Sequence, residues 1–75
     1  MALNDTMEGW GVVGRAGLIV KTISDTRRAA IVNWLVTDAH ILLLQSHTDA
    51  DIERLWNEYR EDATVERVRI AVLRH

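Results

Sequence analysis

Ser46, His47, Asp49 and Asp51 put a hydroxyl, an imidazole and two carboxylates into one short segment. These are the residue types of a hydrolytic triad or of a carboxylate and imidazole metal site. Both sites need groups that converge from separate elements, whereas these lie together at the start of a helix. There, Thr48 with Asp51 three residues later matches a capping arrangement, with Asp in the usual place of Glu. His40 and His47 share a side only if the chain between them is helical, and the spacing positions no third ligand. The chain has no cysteine, so it has no thiol nucleophile, thiolate zinc site or disulfide framework. The expectation is therefore a protein without catalytic residues, metal or cofactor.

Gly9, Gly11, Gly14 and Gly17 could cradle a phosphate through backbone amides, but the order of elements opposes it. Phosphate loops run from a strand through glycines into a helix N-terminus, and these glycines lead into a second strand. A tight hairpin turn explains them better. Trp10, Trp34, Trp56 and Tyr59 are the aromatic residues, and aromatic side chains can stack bases. Trp34 and Trp56 fall on apolar helical stripes, where core packing accounts for them. Trp10 is less constrained.

A set of cations passes these tests. In the final strand, Arg67 and Arg69 alternate with Val68, Ile70 and Val72, and Lys21 alternates with Leu18 and Val20. If helices cover the apolar side, these cations share an open sheet face, extended by Arg15 and Arg74. The acidic second helix and its flanks (Asp49, Asp51, Glu53, Glu58, Glu61, Asp62) would then lie opposite. Such a face suits an acidic protein surface or a nucleic-acid backbone, because guanidinium groups bind carboxylates and phosphates in bidentate fashion. The plainer reading is that charges on a half-exposed sheet keep it soluble.

Positioning these groups requires a small α+β domain. Residues 1–8 read as a mobile N-terminal arm, with order beginning near Gly9 and one domain over 9–75. The runs on either side of Gly14–Gly17 form a hairpin, and a helix begins about Asp25 among the candidate caps Ser24, Asp25 and Thr26. That helix is apolar almost all round. Ala30, Ile31, Trp34 and Leu35 make one stripe, and Ala29, Val32 and Val36 are left over as a candidate interface.

Residues 40–45 fit either a buried strand or the end of a long helix. Ile52, Leu55, Trp56 and Tyr59 mark a second, amphipathic helix, and Ala63 to Leu73 alternates as a half-buried strand. The expected architecture is a small antiparallel sheet, made of the hairpin and the C-terminal strand, with both helices on one face. Its expected core is Val12, Leu18, Val20, Ile31, Trp34, Leu35, Ile52, Leu55, Trp56, Val68, Ile70 and Val72.

Bulk properties agree with one folded domain. The 75 residues are 48% hydrophobic with a net charge of −2, outside the disordered regime of low hydrophobicity and strong self-repulsion. A pI near 5.8 speaks against a dedicated nucleic-acid binder. The stretch from Ala29 to Leu44 is interrupted by Asn33, Thr37, Asp38 and His40, and it is too short to cross a bilayer. Residues 1–8 lack the features of a secretory signal, so a cytoplasmic chain is expected. Domains of this size often gain stability by associating, which makes a homodimer a natural state to test.

The run Ser24 to Val36, together with Thr48-Asp49, Ile52 and Trp56, resembles short uncharacterised proteins encoded in bacterial and phage genomes. The order of sheet and helix, with a final Val-x-Arg-Val-x strand, is similar to that of small phage inhibitors of host RNA polymerase. These resemblances imply a small accessory or inhibitor protein and carry no catalytic motif. The functional expectation is a non-catalytic protein-binding module acting through the basic face, through Ala29, Val32 and Val36, or both. Nucleic-acid binding through the same basic face is the alternative.

Overall fold

The computed structural model describes residues 4–43 and 46–73 of the chain. Strand β1 (Asn4–Gly14) meets β2 (Gly17–Ser24) through the short link Arg15-Ala16, with Gly14 opposite Gly17. Gly17 has φ of 111°, a conformation that glycine adopts without a Cβ penalty. Helix α1 (Arg27–Thr37), helix α2 (Asp49–Tyr59) and strand β3 (Thr64–Leu73) follow. The sheet is antiparallel in the order β2-β1-β3, which makes this a small α+β fold. The arm expected over residues 1–8 is strand from Asn4 onward, because Asn4 to Glu8 pair with Leu73 to Arg69. Residues 1–3 lie outside the described residues.

Caps fix both helix starts. The Thr26 hydroxyl accepts from the Ala29 N–H at 3.1 Å, so α1 opens at Arg27, two residues after the expected start. Thr48 and Asp51 form the reciprocal box: the Thr48 N–H donates to Asp51 Oδ2 at 2.9 Å, and the Asp51 N–H donates to Thr48 Oγ1 at 3.2 Å. Those hydrogen bonds hold the Asp51 pKa below its ordinary value, with smaller contributions from the charges of Arg54 and His47. A carboxylate lowered in the folded state stabilises fully above its unfolded pKa, and the contribution fades as pH falls through the lowered value. Asp51→Asn is therefore expected to lower the melting temperature at neutral pH, with the gap to wild type closing in acid. A gap independent of pH would refute this account.

The core lies between the sheet and α1, with α2 packed on α1. Val12, Ile31, Trp34, Leu35, Ile52, Trp56 and Ala63 form its buried centre, and Ile19, Val65, Leu55 and Val32 pack around it. The Trp34 and Trp56 rings meet edge to face, with centroids 5.3 Å apart. Residues 40–43 are neither helix nor strand, which corrects both readings of that segment, and residues 44 and 45 lie outside the described residues. Here Ile41 and Leu43 pack on the core while Leu42 is 80% exposed. The Ile41 N–H donates to the Leu35 carbonyl at 2.9 Å, and His40 turns the chain away from α1 at φ of 56°.

Register shows which side of the sheet the helices cover. Val12 stands opposite Ile19 on β2 and Val65 on β3, so these three share the helix-bearing side. On β3 that side continues with Arg67 and Arg69, while Val68 and Ile70 point the other way. The expected assignment is thus inverted. Leu18, Val68 and Ile70 belong to the side without helices, Ile19 and Val65 take their places in the core, and Val20 lies in the bulge of β2, exposed. Val72 pairs with Asp5, and its side chain is outside the described set.

Candidate functional site

The expected basic face required Arg15, Lys21, Arg67, Arg69 and Arg74 to converge on an open sheet surface. Arg67 and Arg69 instead stand beside Glu8, which pairs with Arg69 across the strands. Arg67 Nη2 donates to Glu8 Oε2 at 2.7 Å, and Arg69 Nη2 lies 3.6 Å from Glu8 Oε1. The Arg67 guanidinium also sits 5.3 Å from the centroid of the Trp10 ring, a cation–π contact. These groups are on the helix-bearing side, yet they remain exposed because the helices are too short to reach them. An eleven-residue helix runs about 16 Å, whereas the β1–β3 ribbon of ten pairs runs about 33 Å.

The other cations are elsewhere. Arg15, at the hairpin link, donates to Asp62 Oδ2 from Nε and Nη2 at 3.0 and 2.7 Å. Lys21 Nζ lies 3.4 Å from Asp38 Oδ1, just beyond α1. Arg74 is outside the described residues. Each described member of the set therefore has a carboxylate beside it, and the members occupy three separate places.

The leftover apolar residues of α1 are also partly used. Val32 packs against the core, Ala29 is half-buried and Val36 is 46% exposed. In the Ser46–Asp51 segment, Asp49 pairs with Arg28 and Asp51 with Thr48, while His47 is half-buried. Among the described residues, no three metal-capable side chains come together. A hollow of about 270 Å³ opens between the helix starts, over Ile31 and Ile52. Its charged rim is occupied by the pairs Arg27–Glu53 and Arg28–Asp49.

The surface that neither helix covers is apolar. Met7, Val13, Leu18, Ile23, Val68 and Ile70 line it, with Gly9 and Gly11 on the central strand between them. A Cβ added to Gly11 would lie 2.7 Å from Leu18 Cδ1, 3.5 Å from Ile23 Cγ1 and 3.6 Å from Val68 Cγ1. Side chains of both outer strands thus lean over Gly11, while the Ser24 carbonyl and the Ile70 side chain approach Gly9. Met7 is 53% exposed and Leu18 42%. The one charged residue among the described side chains of this face is Glu66, whose Oε2 accepts from the Thr64 hydroxyl at 2.8 Å.

Sequence alternation did not identify this surface, because β2 and β3 carry apolar residues in both phases. The glycines of β1 were the available signal, since a central strand without side chains at two same-side positions marks a place of close approach. No protein-family model, curated protein or solved structure matches the chain.

Proposed function

We propose that this chain is a non-catalytic protein-binding module that docks through the uncovered apolar side of its sheet. The observation carrying this reading is the contiguous apolar surface of Met7, Val13, Leu18, Ile23, Val68 and Ile70, with Met7 and Leu18 left in water and a single carboxylate, Glu66, among its described side chains. Exposed apolar patches of this kind mark interaction surfaces, because removing them from water is favourable and non-directional. The basic-face version loses its basis, since Arg67 and Arg69 share Glu8 and point away from the open side. Nucleic-acid binding through those cations is disfavoured for the same reason: phosphates would have to displace carboxylates already in place. A small phage-type accessory or inhibitor protein, the setting its sequence resemblance implies, needs only such a surface. No helix among the described residues is long and apolar enough to cross a membrane.

A photo-crosslinking residue in place of Leu18 tests the reading in cells that make the protein. The expected result is a covalent adduct with a second polypeptide from position 18, and none from position 58 on the outer side of α2. Adducts absent from position 18, or equal at both positions, would overturn it.

A further inference from the structure

We propose that the outer edge of β3 binds an extended polypeptide segment as a fourth strand, one in which two acidic residues flank a single apolar residue. The protein-binding reading above concerns the open side of the sheet. This edge is a different surface, and its occupant is defined by other chemistry.

The backbone sets the class of partner. In the order β2-β1-β3, β3 has β1 on one side and, among the described residues, no strand on the other. Thr64 to Leu73 pair with β1 in ten consecutive places without a shift of register. Alternate residues of such a strand turn their N–H and C=O groups outward, where a further strand can meet them. The opposite edge of the sheet, β2, is interrupted by the bulge between the Trp10–Ser24 and Val12–Ile19 pairs, and bulges blunt strand addition. A regular edge of this length selects a polypeptide, because main-chain donors and acceptors at strand spacing are what it offers. A nucleic-acid backbone has no donors to match its carbonyls.

Charge sets the composition. Arg67 and Arg69 are alternate residues on the helix-bearing side, beyond the reach of the helices, and both are exposed. Directly across on β1 their neighbours are Trp10 and Glu8. Glu8 serves both arginines: it accepts from Arg67 at 2.7 Å, while its contact with Arg69 is 3.6 Å, longer than a hydrogen bond. Two guanidiniums thus share one carboxylate and keep one positive charge between them. A strand added on the outer edge places its own side chains opposite the same two arginines, so carboxylates there complete the pairing and leave Glu8 where it is. Glu8, Arg67, Val68 and Arg69 border a hollow of about 420 Å³, the space those carboxylates enter. The residue between the two acids falls opposite Val68, on the other side of the sheet, where Val68 and Ile70 are half-buried and an apolar side chain continues their surface.

A second copy of this chain matches the edge poorly. Strand β2 carries no carboxylate. Residues directly opposite in an antiparallel pair share a side, so one β3 against another sets Arg67 and Arg69 only against Val65, Arg67, Arg69, Ala71 or Leu73. The charges that make this edge unsuited to its own copy select a strand of opposite charge.

A phage-displayed library of short random peptides, panned on the immobilised full chain, tests the proposal. The expected result is enrichment of sequences with an acidic-apolar-acidic core. The strongest of them, as a free peptide, is expected to protect alternate β3 amides from exchange. It should bind about tenfold more weakly when its two acids are replaced by the matching amides. Arg69→Gln should weaken the acidic peptide and leave the amide form unaffected. Methylating the peptide nitrogens that face β3 should abolish binding, whereas methylating those of the other phase should not.

Panning that enriches nothing above an uncoated control overturns the proposal. So do enriched peptides without the acidic core, an affinity indifferent to the amide replacements, or protection at β2 in place of β3. Should Arg69→Gln fail to fold, the peptide replacements and methylations carry the test on wild type. Peptides that leave β3 unprotected and lose binding in Leu18→Glu would place the partner on the open side, which excludes the edge and keeps the protein-binding reading.

Discussion

Replacing Thr22 with valine is expected to destabilise the fold by about 2–4 kcal/mol, although the two side chains have nearly the same shape. Thr22 is fully buried. Its hydroxyl accepts from the Val12 N–H at 2.9 Å and donates to the Ile19 carbonyl at 2.6 Å. The register explains why a side chain occupies that place. Trp10 pairs with Ser24 and Val12 with Ile19, so β2 spends more residues than β1 between these pairs and bulges away. The bulge removes a backbone partner from Val12, and the Thr22 hydroxyl replaces it.

Valine leaves a buried donor and a buried acceptor unpaired, each costing about 1–3 kcal/mol. Thr22→Ser keeps the hydroxyl and loses one methyl group, about 1 kcal/mol. The expected order of urea midpoints is wild type, then serine, then valine. A valine variant as stable as serine would show that the hydroxyl does not bridge the bulge. For a chain of 75 residues the total stability is on the order of 4–11 kcal/mol, so the valine change removes a large share of it.

Trp56→Ala is expected to cost about 3–5 kcal/mol, and its main effect falls on α2. This helix is held to α1 by the buried side chains of Ile52 and Trp56, with the Trp34 ring against the Trp56 ring. It is also bridged to α1 by Arg27–Glu53 and Arg28–Asp49. The two kinds of contact are unequal. The ion pairs are well exposed, with side-chain exposures of 44% and 43% in the first and 54% and 83% in the second. Pairs of that kind contribute about 0–1 kcal/mol.

Arg28→Ala is accordingly expected to shift stability by less than about 1 kcal/mol. In Trp56→Ala, amide exchange should rise first across residues 49–59, while the β1–β3 ladder keeps more of its protection. Equal losses from the two variants, or uniform loss of protection across the chain in Trp56→Ala, would contradict this ranking.

How far the sequence could be read depended on how many signals agreed at each element. In α2 the spacing of Ile52, Leu55 and Trp56, the Thr48 cap and Asp51 all specify one helix, and it forms with its apolar side inward. In the hairpin, Gly14 and Gly17 frame the turn and the turn forms there. The N-terminal strand was missed because Asn4 to Glu8 has little intrinsic β tendency. Its pairing with residues 69–73 comes from a segment distant in sequence, which no local pattern reveals.

The candidate site depended on the same distinction at larger scale. Local periodicity by itself determined that there are two helices, a hairpin and a final strand, and that Ile31, Trp34, Leu35, Ile52 and Trp56 are core. It could not determine which side of the sheet the helices take, because the strands are apolar in both phases: Ile19 against Leu18 and Val20, Val65 against Val68 and Ile70. Tertiary structure decided that. The helices cover Val12, Ile19 and Val65, short helices leave Arg67 and Arg69 to Glu8, and the apolar residues of the opposite phase remain in water. A period of two records that side chains alternate, and only the position of the helices says which alternate is inside.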